Sequence, residues 1–366
     1  MKKTAAIVVT YNRKELLAEN IAHLLAQTLR SQLDIIIVDN ASTDGTEESL
    51  GTYIRSGDIL YLNTGANLGG AGGFQYGMRY AAERGYDFLW VMDNDSMPSA
   101  NALEELLKWD QKLRGNYGFL SSQILWTDGS ICNMNIQKVS ISGKVTDFTS
   151  DCVPIITGTF VSTFFPVERI FEFGLPIKEF FIWSDDLEYT RRISRKYPCY
   201  LINTSVVVHK SRANIGSNIA VDEYERLDRY RYAYRNEIYF FRREGLRGWS
   251  YCVCRLLLHS ARVILKSKDH RAKRLRIIRQ SQQGFSQPLV HKVISVHKQD
   301  PLPCGIFQTP VPCSGDAAVF LAEIADISVG RGILPADFSA VVCGAVVDEK
   351  NFQISYCLCQ QTVDAL

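Results

Sequence analysis

Tyr86-Asp87-Phe88-Leu89-Trp90-Val91-Met92-Asp93-Asn94-Asp95 is an apolar run that stops at two carboxylates one residue apart. A short run of this kind, bounded by polar residues, reads as a buried strand, and its C-terminal end delivers Asp93 and Asp95 to the edge of a sheet. Open α/β sheets bind ligands at that edge. Hard carboxylate oxygens there suit Mg²⁺ or Mn²⁺, and the free positions on such an ion suit a diphosphate. A calcium loop is a poor fit: Glu104 is the twelfth residue counted from Asp93, but Pro98 stands where that loop requires glycine.

Upstream of this run the sequence alternates. Strands are expected at Ala5–Thr10, Asp34–Val38, Ile59–Asn63 and Phe88–Met92, and helices at Lys14–Ala26, Thr43–Arg55, Ala71–Arg84 and Asn101–Arg114. Apolar strands alternating with helices mean βαβ units, so the fold class is α/β with a mainly parallel sheet flanked by helices. Downstream the pattern loosens. Phe119–Leu125 and Lys138–Phe148 read as strands, Ile155–Phe165 as an apolar stretch around Gly158, Asp185–Arg195 as a helix and Tyr200–His209 as a strand. Asp222–Arg243 reads as a long helix broken by Gly245 and Gly248, and residues 249–282 as one or two more. The division expected is a catalytic domain over 1–220, a helical extension over 221–285 and a region of unassigned role over 286–366.

Composition narrows the function classes. With 366 residues and 46% hydrophobic content the chain can bury a large core, and a net charge of +2 argues against a general nucleic-acid coat. Thr4 to Tyr11 is read as a first strand and not as a signal peptide, because it runs into Asn12-Arg13-Lys14-Glu15 without a small-residue cleavage site. No run reaches the roughly 18 uncharged residues of a spanning helix. The 10 cysteines lack zinc-ribbon spacing, so free thiols in the cytoplasm are expected.

Four polar clusters fall where the strands of such a sheet would end: Thr10-Tyr11-Asn12-Arg13, Asp39-Asn40-Ala41-Ser42, Asn67-Leu68-Gly69-Gly70-Ala71-Gly72-Gly73 and Asp93-Asn94-Asp95. Convergence on one edge makes them a candidate nucleotide site. The glycine cluster lacks the Lys-Ser/Thr of a P-loop, and Gln75 stands where the dinucleotide fingerprint needs glycine. It suits either close approach of backbone to a phosphate or sugar, or tight helix–strand packing. Phe181-Ile182-Trp183-Ser184-Asp185-Asp186 places two adjacent carboxylates behind an aromatic run at a helix start, where one ionised base can be held or the helix simply capped. His209, after Val206-Val207-Val208, is either structural or a third metal ligand.

Val8-Val9-Thr10-Tyr11-Asn12-Arg13 and Ile37-Val38-Asp39-Asn40-Ala41-Ser42-Thr43-Asp44-Gly45-Thr46 resemble the opening of the family 2 nucleotide-sugar glycosyltransferases. With the glycine cluster, Trp90–Asp95 and Phe181–Asp186, the resemblance is to the bacterial galactofuranosyltransferase branch, with rhamnosyltransferases close by; it covers residues 4–280. It implies a GT-A fold with a C-terminal helical extension. It also implies an inverting transfer of a hexose from a UDP- or dTDP-linked donor to a glycan or lipid-linked acceptor. By resemblance, Asp39 contacts the nucleoside, with Thr10, Tyr11, Asn12, Asn67, Gly70 and Asn94 along the donor site. Asp93, Asp95 and His209 hold Mn²⁺ or Mg²⁺; the branch usually carries Asp where Asn94 stands. Trp183 and Gly158 line the acceptor side. The base falls in the Trp-Asp-Asp motif, here interrupted by Ser184, with Asp186 preferred and Asp185 the alternative.

In the extension, Arg255, His259, Arg262 and Lys266 recur at helical spacing beside Leu256, Leu257, Ile264 and Leu265. Such a basic stripe suits either an interfacial helix at the cytoplasmic face of an anionic membrane or a solvated helix face, and the segment also leaves a homo-oligomer contact open.

Overall fold

The computed structural model describes residues 2–283. The order of elements is β1 (Thr4–Thr10), α1 (Lys14–Leu25), β2 (Leu33–Asp39), α2 (Thr46–Ser49), α3 (Gly51–Ser56), β3 (Leu60–Asn63), α4 (Gly69–Ala82), β4 (Phe88–Asp93), β5 (Ser96–Pro98), α5 (Ala102–Leu113), β6 (Leu120–Trp126), β7 (Cys152–Ile155), β8 (Thr163–Pro166), α6 (Val167–Phe173), α7 (Asp185–Ser194), β9 (Cys199–His209), α8 (Tyr230–Arg242), α9 (Gly245–Lys266) and α10 (Arg271–Gln283).

One sheet runs β3-β2-β1-β4-β8-β6-β9-β5, with β7 also on β9. β3, β2, β1 and β4 are mutually parallel, as the alternating pattern predicts. β8 pairs antiparallel with β4 and β6, and only β6 and β9 continue the parallel pairing beyond it. Successive side chains along β1 and β2 go to opposite layers. Ile7, Val9, Ile36 and Val38 meet Phe74, Met78 and Ala81 of α4. Ala6, Val8, Ile35 and Ile37 meet Leu17, Ile21 and Leu24 of α1 and Leu103 and Leu106 of α5. Both faces are therefore covered, which explains strands that are apolar throughout. A separate small core joins α8, α9 and α10 through Tyr234, Ile238, Phe241, Leu256, Val263 and Ile277, and touches the catalytic half through Trp183 and Leu187.

Four expectations change. Thr43–Arg55 forms two short helices, because Leu50 sits at their junction with its side chain buried. Lys138–Phe148 is no strand: Val139 and Ser140 both donate to the carbonyl of Gly143, closing a tight turn that leaves only isolated bridges to Lys144 and Thr157. Tyr224–Arg229 is a 3₁₀ turn ahead of α8. Gly248 does not break a helix; it lies inside α9, where an added Cβ would sit 2.3 Å from the Phe241 carbonyl oxygen, so glycine permits the close crossing of α8 and α9. The expectation for residues 286–366 lies outside the described residues.

Candidate active site

The strand order reverses at β1, with β2 and β3 on one side and β4 on the other, and the polar clusters stand there. Register puts Thr10 opposite Asp39 and Val9 opposite Asp93, so three strand ends present their polar residues side by side. Asp39 is buried; Oδ1 accepts the backbone N–H of Ser42 at 2.9 Å and its hydroxyl at 2.6 Å, and Oδ2 accepts the Tyr61 hydroxyl. Burial and that bond push the Tyr61 phenol well up, so it stays a donor. Asn94 is buried and donates to Thr10 Oγ1 at 2.9 Å, tying the ends of β1 and β4 together. Asn12 has φ 52° and accepts the Thr43 N–H at 2.7 Å. The Tyr11 ring beside it is 44% exposed.

The glycine cluster opens α4, and its glycines have different jobs. Gly69 has φ +70°, and a Cβ there would lie 2.1 Å from the Phe181 carbonyl oxygen. At Gly73 it would strike Val9. Tight packing thus accounts for both. Gly70 alone of the site glycines faces open space, and the Asn67 side chain caps the turn by accepting the Gly69 N–H at 2.9 Å.

Asp93 ends β4 and Asp95 lies in the turn that follows; β5, a three-residue strand that periodicity could not reveal, pairs Ser96 with His209 of β9. That pairing brings His209 Nε2 to 3.2 Å from Asp95 Oδ1, while Arg13 reaches Asp95 Oδ2. His209 Nδ1 donates to Asn135 Oδ1 at 2.8 Å, which fixes the ring and leaves Nε2 facing the carboxylates. Burial, then the Asp95 charge, push the Asp93 carboxyl up to about 7. Burial also works against ionised Asp95, but the His209 bond and the charges of His209 and Arg13 outweigh it and hold Asp95 below the usual carboxylate range. Burial disfavours imidazolium at His209, yet the bond to Asp95 and the surrounding negative charge lift it to about 10.

Asp185 and Asp186 begin α7, and both respond to this cluster: Asp93 raises Asp185, and Asp186 raises Asp93. Burial and its neighbour Asp186 push Asp185 far up. Burial lifts Asp186 only to about 6, because the backbone N–H groups of Leu187 and Phe160 and the Lys138 ammonium favour its anion. The two adjacent acids therefore differ in surroundings: Asp185 is pushed far up, while backbone donors and Lys138 hold Asp186 at about 6.

The loop that aims them is strained. Phe181, Trp183 and Ser184 all have positive φ near 60° to 65°. Asn236 of α8, fully buried, holds it by donating from Nδ2 to the carbonyls of Phe180 at 2.9 Å, Ile182 at 3.2 Å and Trp183 at 2.9 Å. Asn236, Tyr61 and Arg13's grip on Asp95 were invisible in the sequence, since each joins segments far apart in the chain. Trp183 is half-buried against Tyr230. Gly158 is buried beside α7: it donates to Thr190 Oγ1 at 3.1 Å, Thr190 in turn donates to the Asp186 carbonyl, and a Cβ at Gly158 would meet Phe119 and Thr163 at 3.1 Å.

Among the described residues no three His, Cys, Asp or Glu side chains surround one cation position as placed, because Arg13 and His209 engage Asp95 directly. The donor chemistry nevertheless fits a hard divalent ion. Asp93 is a half-buried carboxyl pushed up by desolvation and by Asp95, Asp95 is held below the usual carboxylate range, and the His209 ring is oriented through its other nitrogen.

Residues 5–118 match the model of glycosyl transferase family 2. The chain carries a family 2 glycosyltransferase domain over that segment. The galactofuranosyltransferase GlfT1 of Mycolicibacterium smegmatis is 26% identical over 284 residues, which cover 68% of this chain and 90% of that protein. GlfT1 of Mycobacterium tuberculosis is 29% identical over 207 residues, 52% of this chain and 64% of that one. The solved structure of GalNAc-T7 with UDP, GalNAc and Mn²⁺ superposes with a TM-score of 0.50 at 17% identity, over 65% of this chain and 51% of that one. At that identity the likeness concerns the fold, which is the GT-A arrangement of a curled sheet between helices. In this glycosyltransferase the five described cysteines are free thiols, and no described helix is long and apolar enough to cross a membrane.

Proposed function

We propose that this glycosyltransferase moves galactofuranose from UDP-galactofuranose to a hydroxyl of a growing cell-surface glycan or lipid-linked acceptor, at the cytoplasmic side of the membrane, with inversion at the anomeric carbon. The observation that carries the reading is the placement of adjacent carboxyls, Asp185 and Asp186, at the start of α7, within electrostatic reach of Asp93, which ends β4 beside Asp95 and His209 at the switch point of the sheet. The choice of sugar is supported by the similarity to GlfT1 across nine-tenths of that protein's length.

Asp39 and Thr10 would receive the nucleoside, with Tyr11 free to stack on the base and Asn12 and Asn67 shaping the loops beside it. Gly70, open in front of the α4 N-terminus, leaves room for a phosphate or sugar. Asp93, Asp95 and His209 would hold Mn²⁺ or Mg²⁺; when bound, the ion stabilises the negative charge growing on the diphosphate leaving group. For that, Asp95 must release Arg13, and His209 must give up the proton it shares with Asp95.

An acceptor hydroxyl is a weak nucleophile at neutral pH, and Asp186 is the group able to take its proton as attack develops. Trp183 stands at the mouth of this loop as an apolar wall for the acceptor. One base and direct displacement give inversion.

The test is a donor panel. Purified protein with Mn²⁺ is given UDP-galactofuranose, UDP-galactopyranose or dTDP-rhamnose and a lipid-linked acceptor, and the product is analysed by NMR. Transfer from UDP-galactofuranose with inverted configuration is expected. Transfer from dTDP-rhamnose alone would overturn the sugar, and a retained configuration would overturn the role of Asp186.

A further inference from the structure

The helical extension carries an interaction surface that differs from the one its basic stripe suggests. His259 is buried against Tyr234, and Arg255 turns back to Glu237 Oε1 at 2.7 Å. The face of α9 that looks outward is apolar instead. Leu246, Trp249, Val253 and Leu257 recur every three to four residues, Ile264 continues the stripe two turns on, and Leu258 and Leu265 flank it; all are exposed. Leu246 is 86% exposed, Leu257 63% and Leu265 81%, whereas Leu256 and Val263 on the opposite face are buried. Over 22 residues this face is about 33 Å long. A shallow apolar groove lined by Leu246, Trp249, Ser250, Val253 and Cys254 lies at its N-terminal end.

Charge decides what covers such a face. α9 contains no carboxylate, and neither does α10; every charged side chain on either helix is arginine or lysine. The cations that α9 exposes, Arg247 and Lys266, would find no carboxylate on α9 or α10 of a second copy packed through this face. An anionic surface complements both features, receiving the leucines below the headgroups and the cations at their level. Lys266, Lys268 and Arg271 are exposed where α9 ends and α10 begins, at one edge of the stripe. The helix is not a membrane span, since no described helix is long and apolar enough to cross.

We propose that α9 is an in-plane membrane anchor whose exposed leucine face inserts into the headgroup region of an anionic bilayer. The idea is independent of which sugar is transferred.

The test uses the full chain and sedimentation with vesicles, either pure phosphatidylcholine or equal parts phosphatidylcholine and phosphatidylglycerol, at low ionic strength. Binding to the anionic vesicles is expected, at least tenfold stronger than to the neutral ones and weakened by salt. The Leu257→Asp/Leu265→Asp double variant should lose at least tenfold in partitioning while keeping its melting temperature and its donor-hydrolysis rate. Lys266→Glu/Lys268→Glu should weaken binding to anionic vesicles only. Absence of binding to anionic vesicles at low salt would overturn the proposal. So would binding that the leucine variant leaves unchanged, or an oligomer, seen by analytical ultracentrifugation, that the leucine variant dissociates without any vesicle binding.

Discussion

The edge formed by β1, β2 and β4 and the helical extension formed by α8, α9 and α10 solve opposite problems. At the sheet edge the polar residues are buried: Thr10, Asp39, Asn94, Asp95 and His209 are nearly closed to solvent and bonded to one another or to neighbours. In the extension the apolar residues are exposed, along one whole face of α9. A buried polar group is tolerated only when it is paired, so the first region is specific, and the Asp93 carboxyl, pushed up by desolvation and by Asp95, marks where further positive charge belongs. An exposed apolar face marks a surface that something else must cover. The two regions meet at the strained loop of residues 180–184, which the extension holds through Asn236.

The largest effect expected at the sheet edge is that of Asp186→Asn. Removing a general base costs about 10² to 10⁴ in kcat. Donor binding, measured by calorimetry with UDP, should persist. If Asp185→Asn abolishes transfer and Asp186→Asn does not, the roles of the two acids are exchanged.

Next comes the join between the regions. Asn236→Ala leaves the carbonyls of Phe180, Ile182 and Trp183 without their donor, at roughly 1 to 3 kcal/mol for an orphaned buried group. A fall in kcat of about tenfold or more is expected, with a smaller change in the affinity for UDP, because the loop aims α7 and not the nucleotide pocket. An unchanged kcat in a folded variant would show that the extension does not position the acids.

The pH profile of kcat sharpens the assignment further. Asp186 acts as an anion and its carboxyl lies at about 6, so activity should fall as pH drops through about 6, tenfold for each further unit. A profile flat down to pH 5 would remove Asp186 from the chemistry.

The last expected effect belongs to the extension and concerns stability at low pH, with no change in turnover at neutral pH. His259 is buried, its Nδ1 has no hydrogen-bond partner, and burial, reinforced by Arg255 and Arg262, pushes it down from 6.5 to about 4. The unfolded chain therefore takes up a proton at this position before the folded one does. Stability is full above pH 6.5 and is lost as pH falls from there toward 4, by up to about 3 kcal/mol. His259→Phe should flatten this part of the stability curve, as measured by urea unfolding at several pH values.

How much of this was legible in the sequence follows from the distances involved. β1, β2 and β4 are apolar on both faces and end in clustered polar residues, so strands, sheet edge and candidate ligands could all be read from local pattern. β5 could not: Ser96-Met97-Pro98 has no strand period, and only its pairing with β9 brings His209 beside Asp95. The cations of α9 were visible, but the direction in which they point was not. Arg255 and His259 turn inward because Glu237 and Tyr234 of α8 lie there, and the leucines are left outside. Tyr61 on Asp39 and Asn236 on the α7 loop are partnerships across 22 and 53 to 56 residues, which no short motif records.

A crystal structure of the protein with UDP and Mn²⁺ is the most direct test of the central claim. The account predicts uracil between Thr10 and Asp39, with the ion joining the diphosphate to Asp95 and His209 and Arg13 released from Asp95. A nucleotide bound elsewhere, or the ion absent with Arg13 and His209 still on Asp95, would contradict it.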